Sequence, residues 1–340
     1  MQLRDYQQAA VDGAYKLWRE GKRSVIITMA TGSGKSVVFK KFAQDVTMRG
    51  HRVLLLVEGQ DLVEQAANHM RVAGLRVAVE MADQRVNTMG GDLLGDGPQV
   101  VVASVDSMVR RFTRYPVEYF GLIIADESHH CMAPSYRKVF GHFGIPVPRE
   151  PEDGGGKYPA VGTCKLVGLT ATPDRTDKKQ LVPDIFEECA FDYPIKQAIE
   201  DGWLVPVKQV LCHLPGYDIS KVRTVAGDLN AGELAEVLEP LIKPMVQEIV
   251  KVSEGRRRTL VYSVLKKLAH ATTEALIGAG AGNVCTIVGE TPRSSSAAAN
   301  ESGTAEQRWP DRERMFEAFR RGDLPFLSSV ATLIAGVDLP

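Results

Sequence analysis

Two short stretches of the chain carry residue types that could do chemistry. Residues 121–131 read GLIIADESHHC, in which two acids stand side by side and are followed by two histidines and a cysteine. Residues 28–39 read TMATGSGKSVVF, in which two glycines come just before a lysine and a serine. The first stretch allows two interpretations, which are a metal site built from its histidines and cysteine, or a strand end that carries acids for phosphate chemistry.

The second stretch predicts a phosphate-binding loop. Gly32 and Gly34 allow a tight turn that presents backbone N–H groups to an anion, while Lys35 can reach the β- and γ-phosphates and Ser36 can ligate Mg²⁺. Met29 stands where the strict pattern G-x-x-x-x-G-K-[ST] has its first glycine. The core of the motif is intact and consists of Thr31, Gly32, Ser33, Gly34, Lys35 and Ser36. A dinucleotide-binding loop is the nearest alternative, but it would need a third glycine. The simplest alternative is a glycine-rich turn with no function.

The paired acids complete this interpretation of the first stretch. A phosphate-binding loop that uses Mg²⁺ needs an acid at the end of a strand to hold the metal. Asp126 ends the apolar run LIIAD and fits this role, while Glu127 fits a base that orients the attacking water. A zinc site at residues 129–131 is disfavoured, because adjacent residues of an extended chain point to opposite faces and no C-x-x-C or H-x-x-x-H partner lies nearby. We therefore expect phosphate chemistry here.

The elements that position these motifs are apolar runs rich in β-branched residues, which alternate with amphipathic stretches of helical length. Runs that are apolar on both faces indicate a parallel sheet covered by helices on both sides. The first series of runs lies at 25–28, 53–57, 100–104, 122–126 and 166–172, and the second at 205–214, 259–264, 283–290 and 325–330. The stretches between them, such as 104–112 and 266–280, read as helices. We predict two α/β domains, residues 1–195 and 196–340.

Length and composition set bounds on the class of protein. A chain of 340 residues suggests two domains, and a formal net charge of −1 means that a nucleic-acid partner would have to bind in a local groove. The five cysteines are widely and irregularly spaced, which argues against a disulfide framework and fits a reducing compartment. The first ten residues do not form a signal peptide, and no apolar run approaches the ~18 residues of a membrane span. We expect a cytoplasmic protein with no membrane partner.

Taken in order, these motifs resemble those of superfamily 2 helicases and translocases, in particular the DEAD/DEAH-box-like branch related to type III restriction subunits and to repair and phage helicases. LRDYQQAAV (3–11) resembles the segment that reads adenine, with Gln7 in the reading position. The other similar segments are MATGSGKS (motif I), LLLVEGQDLVEQ (54–65, Ia), VVASVDSM (101–108, Ib), DESH (126–129, II), GLTATPDR (168–175, III), TLVYSV (259–264, IV) and TLIAGVDLP (332–340, V). In motif V, Ala335 replaces the usual Glu, and motif Ia lacks its usual basic residue.

The resemblance implies a P-loop NTPase made of two tandem RecA-like domains with ATP and Mg²⁺ in the cleft between them. By this resemblance Lys35 and the loop amides hold the phosphates, Asp126 and Ser36 place the metal, and Glu127 orients water. The remaining residues that it implicates are Asp338 in nucleotide binding, and His129, Thr170, Ala171 and Thr172 in coupling the nucleotide state to a nucleic-acid strand. Because the chain ends at Pro340, before the family's motif VI with its arginine finger, we expect an incomplete second domain and slow hydrolysis.

The implied function is ATP-dependent movement along DNA, with RNA as the less favoured track. Two alternatives stay open. One is a nucleotide-gated nucleic-acid-binding protein with little turnover, and the other is the motor subunit of a restriction complex whose nuclease or methyltransferase parts lie in other chains.

Overall fold

The computed structural model describes residues 3–81, 86, 97–172, 180–212, 214, 218–225, 228–255, 258–292, 294–295 and 303–330. The chain forms two compact units, residues 1–207 and 208–340. No helix in these described ranges is long and apolar enough to cross a membrane. The domain boundary after residue 195 and the cytoplasmic localisation stay predictions.

A seven-stranded sheet forms the centre of the first unit, and its strands pair in parallel. The strands are β1 (Ser24–Met29), β2 (Val53–Val57), β3 (Val77–Glu80), β4 (Val100–Ser104), β5 (Leu122–Ala125), β6 (Lys165–Thr170) and β7 (Glu188–Tyr193). Their order across the sheet is β3-β4-β2-β5-β6-β1-β7. The carboxyl ends of parallel strands lie at the same edge of a sheet, so the segments after β1, β5 and β6 come together there.

Helices cover both faces of this sheet. They are α1 (Asp5–Arg19), α2 (Lys35–Met48), α3 (Gln60–Val72), α4 (Val105–Met108), α5 (Pro134–His142), α6 (Leu181–Asp184) and α7 (Ile195–Glu200). Every residue of β1, β2, β4 and β5 is buried, as expected for strands that are covered on both sides. In β1, for example, Ile27 packs in the core beneath α1, α2 and α3, whereas Ile26 packs in the core beneath α4 and α5.

The second unit contains a three-stranded parallel sheet in the order β10-β12-β11. Its strands are β10 (Thr259–Tyr262), β11 (Val284–Ile287) and β12 (Phe326–Ser329), and β8 (Thr224–Val225) pairs with β9 (Asp228–Leu229) as a short antiparallel ribbon. Its helices are α8 (Ala231–Leu238), α9 (Ile242–Ser253), α10 (Lys266–Gly278), α11 (Ala305–Arg308) and α12 (Arg312–Arg321). The predicted α/β class with two parallel sheets is confirmed.

Several predicted elements differ from the structure. The run 205–214 is not a strand at its described positions, and Val205 and Leu211 are exposed there. The predicted helix at 104–112 is only the single turn α4, followed by a 3₁₀ turn at Phe112–Arg114. The edge strands β3 and β7 were not predicted, because β3 is only four residues long and the sequence of β7, ECAFDY, has no clear period. Motif V, which includes Ala335 and Asp338, lies outside the described residues.

Candidate functional site

The connection between β1 and α2 has the backbone geometry of an anion-binding loop. Gly32 (φ 82°) and Gly34 (φ 86°) lie in the left-handed region, which a Cβ atom would make unfavourable. Ser33 is fully buried, and its hydroxyl donates a hydrogen bond to the carbonyl of Ala30 at 2.6 Å. Helix α2 begins at Lys35, and the first backbone N–H groups of a helix have no partner four residues back, so those at the start of α2 can bind an anion. The N–H of Val37 instead donates to the Gly34 carbonyl at 3.0 Å.

Helix α1 holds this loop from one side through the carbonyl of Ser33. The Tyr6 hydroxyl donates to that carbonyl at 2.8 Å, and Gln7 Nε2 donates to it at 3.1 Å. Gln7 Oε1 in turn accepts the backbone N–H of Arg4 at 3.1 Å, so both ends of the Gln7 amide are bonded within the protein. The Ser33 carbonyl and the Gly34 N–H belong to one rigid trans peptide and point in opposite directions. The two donors on α1 therefore aim the Gly34 N–H away from α1.

The phosphate-binding loop meets the D-E-S-H segment through an ion pair. Lys35 Nζ lies 3.1 Å from Glu127 Oε1, although β6 separates β1 from β5 in the sheet. Among the described residues, Glu127 alone of the non-glycine residues has a positive φ, at 42°. Such a conformation costs of order 1–3 kcal/mol and persists only where the surroundings impose it. The turn directs the Glu127 carboxylate back toward Lys35.

Asp126 lies at the carboxyl end of β5, where its backbone N–H donates to the carbonyl of Leu56 at 3.0 Å. Its Oδ1 accepts the backbone N–H of Glu127 at 2.9 Å. Burial raises the pKa of Asp126 to about 6, and the nearby Lys35 opposes this shift. A cation beside Asp126 would favour its ionised form for the same reason. The carboxylate of Asp126 and the hydroxyl of Ser36, in the first turn of α2, are hard oxygen ligands of the kind that Mg²⁺ takes, so the residues present fit this metal.

His129 joins the acids to the end of β6. Its Nδ1 lies 3.2 Å from Thr170 Oγ1 and 3.3 Å from Glu127 Oε2. Thr170 is fully buried, and its hydroxyl accepts the backbone N–H of Thr172 at 3.2 Å. Of the predicted coupling residues, His129 therefore contacts the predicted catalytic acid directly, and Thr170 is linked to that acid through His129. Ala171 lies between the two threonines in the sequence. Residues 173–175 of the same motif lie outside the described residues.

The remaining residues of the histidine–cysteine run have separate surroundings. Cys131 is fully buried in the core beneath α5, while His130 Nε2 lies 3.0 Å from Glu58 Oε2 near the surface. Within the described ranges, no group of three or more His, Cys, Asp or Glu side chains is placed to hold a metal ion.

Four residues beside the loop were not singled out from the sequence. Tyr6 stacks on Tyr193 with ring centroids 4.3 Å apart, and Arg4 lies over the ring of Trp203 at 4.0 Å. Arg4 and Tyr6 are part of the LRDYQQ segment that drew attention to Gln7, so their proximity to it was a usable signal. Tyr193 and Trp203 follow no pattern that would associate them with a loop more than 150 residues earlier in the sequence.

Comparison with known families decides the affiliation of the chain. Residues 1–175 match the family model described as "Type III restriction enzyme, res subunit". The chain belongs to this family. The match covers more than half of the 340 residues and includes the loop, the paired acids and the Thr170–Thr172 segment. The resemblance to superfamily 2 helicases is thereby confirmed.

Relatives and solved structures agree with this affiliation. The chain is 26% identical over 353 residues to the putative ATP-dependent helicase IRC3 of Saccharomyces cerevisiae, covering 99% of this chain and 45% of the relative. It is 23% identical to the DNA 3'-5' helicase XPB of Mycobacterium tuberculosis, covering 100% of this chain and 53% of the relative. The chain thus spans about half the length of these curated relatives. A putative HsdR fragment of a type I restriction enzyme from Vibrio vulnificus YJ016 has the same fold, with a TM-score of 0.64, 20% identity, and coverage of 98% of this chain and 55% of that one.

Proposed function

We propose that the chain is the motor core of a superfamily 2 helicase or translocase, which binds and hydrolyses ATP and uses the energy to move along DNA. The observation that carries the proposal is the contact between Lys35 and Glu127 at 3.1 Å. It unites a glycine loop at a helix N-terminus with paired acids at a strand end, which are the parts that phosphoryl transfer to water requires.

In this proposal each side chain has one task. The Gly34 N–H and its neighbours at the start of α2 bind the phosphates, and Lys35 neutralises their charge. Glu127 orients a water molecule and accepts its proton, as a general base must lie within hydrogen-bond reach of the group it deprotonates. His129 contacts both Glu127 and Thr170, so a change in the carboxylate can reach the end of β6. Gln7 reads the base.

We propose Mg²⁺ as the metal of this site. Asp126 and Ser36 would hold it, and it would supply charge neutralisation to the phosphate oxygens when bound. The partly buried Asp126 carboxylate supports this assignment, because burial raises its pKa and a divalent cation would stabilise its charged form.

DNA is the track that we favour. The family is named for a restriction enzyme subunit, and the relative from M. tuberculosis is named a DNA helicase. The net charge of −1 requires that a nucleic acid bind to a local surface rather than to a generally basic one. RNA is the alternative that a direct comparison must exclude.

A second candidate is the motor subunit of a restriction complex, with nuclease or methyltransferase functions on other chains. The family description and the fold likeness to a putative HsdR subunit favour it. Co-purification of a methyltransferase-like protein with the tagged chain from its native host would support this candidate over a motor that works alone.

The test is a side-by-side measurement of steady-state ATPase activity with single-stranded DNA, duplex DNA and RNA. We expect stimulation by DNA and a larger effect than that of RNA, with Lys35→Ala as the inactive control. ATP binding and nucleic-acid binding without stimulated turnover would instead favour a nucleotide-gated binding protein. Absence of ATP binding by the parent chain would refute the proposal.

A further inference from the structure

Trp203 is a half-exposed aromatic residue that lies close to the phosphate-binding loop and belongs to none of the helicase motifs. Trp203 is 46% exposed, yet its backbone is fixed, because its N–H donates to the carbonyl of Ala198 at 2.9 Å. The N–H of Leu204 donates to the same carbonyl at 3.0 Å. A Cβ atom added to Gly32 would lie 3.2 Å from Leu204 Cδ2, so this segment packs directly on the loop.

A chain of contacts runs from Trp203 to the loop. The Arg4 guanidinium carbon lies 4.0 Å from the centroid of the Trp203 ring, which is within the range of a cation–π contact. Arg4 Nη1 donates to the Tyr6 hydroxyl at 3.0 Å, and that hydroxyl donates to the Ser33 carbonyl at 2.8 Å. All of these residues lie within the first unit.

The available hydrogen-bond donors determine which atom donates to which in this series of contacts. A guanidinium carries only hydrogen-bond donors, so the Tyr6 oxygen must accept from Arg4. The hydroxyl hydrogen of Tyr6 is then directed to the Ser33 carbonyl. Tyr6 is also clamped by stacking on Tyr193, with an angle of 10° between the ring planes, so its ring cannot turn away without losing that contact. Of the two hydrogen bonds that hold the Ser33 carbonyl, the one from Tyr6 is therefore oriented by Arg4, and the one from Gln7 Nε2 is independent of the Arg4 guanidinium.

We propose that Trp203 is a positioning residue for the phosphate-binding loop. Its indole face holds Arg4, Arg4 orients the Tyr6 hydroxyl, and that hydroxyl, together with Gln7 Nε2, holds the Ser33 carbonyl and hence the opposed Gly34 N–H. The loop is thus set for an anion by a residue that lies 170 positions later in the sequence (203 minus 33). The inference rests on the proposed ATP site. Because Trp203 precedes the second unit, which begins at Lys208, the same contacts tie the loop to the segment that leads into that unit.

The experiment compares Trp203→Ala, Trp203→Phe and Arg4→Gln with the parent chain. Hydrogen exchange of the loop amides, measured without added nucleotide, should be faster in Trp203→Ala and Arg4→Gln, and close to the parent rate in Trp203→Phe, which keeps an aromatic face. An exposed cation–π contact corresponds to about a 2- to 5-fold change in an equilibrium constant. We therefore expect ATP to bind about 2- to 5-fold more weakly to Trp203→Ala, with KM raised by the same factor and kcat within about 2-fold.

Two controls make the result specific. Ile195→Ala removes another exposed apolar side chain from the same part of the first unit, where Ile195 is 54% exposed, and should change neither exchange nor affinity. Trp203 also contacts the Tyr6 ring directly, with ring centroids 6.0 Å apart. The loss of affinity in the double variant Trp203→Ala/Arg4→Gln should therefore be smaller than the sum of the two single losses, because both residues act on Tyr6.

The proposal is overturned if loop exchange in Trp203→Ala equals that of the parent, or if the effects of the Trp203 and Arg4 substitutions simply add. It is also overturned if Trp203→Phe behaves like Trp203→Ala. Failure of the proposed function would give a different result, in which the parent chain binds no ATP. The hydrogen-exchange measurement would still report whether Trp203 positions the loop, because it is made without nucleotide.

Discussion

The ion pair between Lys35 and Glu127 has a consequence for nucleotide affinity. The two groups lie 3.1 Å apart, with side-chain exposures of 13% and 27%. In the proposed function, Lys35 would have to give up this contact to reach the phosphates of ATP, so the Glu127 carboxylate would compete with the ligand for the same ammonium group. Glu127→Gln removes the charge of the competitor and keeps its shape. We expect this variant to bind ATP more tightly than the parent chain while losing hydrolysis.

The size of the effect follows from the geometry of the pair. Two unit charges 3.1 Å apart attract by about 5 kcal/mol at an effective dielectric constant of about 20. Desolvation of both groups offsets much of this, and exposed ion pairs retain only about 0.2–1 kcal/mol. The glutamine oxygen would still accept a hydrogen bond from Lys35. For this partly buried pair we expect a net gain in ATP affinity of about 1–2 kcal/mol, which is roughly 5- to 30-fold in Kd.

Hydrolysis should fall in the same variant, because an amide does not accept the proton of the attacking water. Loss of a general base costs about 10² to 10⁴ in rate. Equilibrium titration with ATP and Mg²⁺ measures the affinity, and single-turnover hydrolysis measures the chemical step. An affinity that is unchanged or weaker would refute the competition between Glu127 and ATP, and a parental rate of hydrolysis would refute the water-orienting role.

Asp45→Asn is the matched control for this variant. Asp45 forms an ion pair with Lys41 at 2.7 Å on α2, so the substitution changes net charge equally and removes a lysine–carboxylate pair from the same helix. It should alter neither ATP affinity nor hydrolysis.

Three further predictions concern the loop and the disfavoured metal site. Lys35→Ala should abolish productive ATP binding, because it removes the ammonium group that neutralises the phosphates; unchanged affinity in a direct titration would contradict the assignment of the loop. Gly34→Ala should weaken ATP binding, because φ is 86° there and the new Cβ would lie 2.6 Å from Gln7 Nε2. The strain is about 1–2 kcal/mol, and Gly50→Ala, with a φ of 81° and no atom within 4 Å of the new Cβ, should lower Tm without affecting ATP. Elemental analysis should find no stoichiometric zinc, and chelators should leave Tm unchanged; tightly bound zinc would revive the site at residues 129–131.

The central sheet of the first unit could be predicted because its strands are buried on both faces. Such strands must be apolar at every position, and the runs at 53–57 and 100–104 match β2 and β4 in full. An edge strand has no such requirement. Residues of β7, at 188–193, are largely exposed or half-buried, so their sequence ECAFDY carries no clear period.

The run 205–214 was predicted as a strand and is not one at its described positions. Val205 and Val207 alternate with other residues as they would in a half-buried strand, but a strand also needs a neighbour with which to form hydrogen bonds. Both valines are exposed, at 82% and 76%. Periodicity indicates which residues could lie on one face of a strand. It does not indicate whether another element packs against that face.

Within the candidate site, the sequence identified the residues that stand in motifs but not the aromatic residues that pack beside them. Lys35, Glu127 and His129 stand in short motifs, since their chemistry restricts both residue type and spacing. Tyr193 and Trp203 reach the site only through contacts made by the fold, with Tyr6 and Arg4 respectively, and such contacts can be supplied from any point of the chain.

Gln7 and Lys35, at the two ends of the site, are both bonded to other protein groups that ATP would have to replace. At one end the Gln7 amide is bonded to the Ser33 carbonyl, and at the other Lys35 is bonded to Glu127. ATP would have to replace partners at both ends. On binding ATP, the Gln7 amide would exchange its hydrogen bonds within the protein for hydrogen bonds to the base. A base that cannot offer these bonds would leave the buried Gln7 amide unpaired, at a cost of about 1–3 kcal/mol. Because Gln7 and Tyr6 share the Ser33 carbonyl, a change at Gln7 would also alter the orientation of the Gly34 N–H, which we propose to bind the phosphates. If Gln7 reads the base as proposed, selectivity for the base would be transmitted to the phosphate-binding loop through a single peptide unit. Substitutions at Gln7 should then alter affinity for tripolyphosphate as well as for ATP.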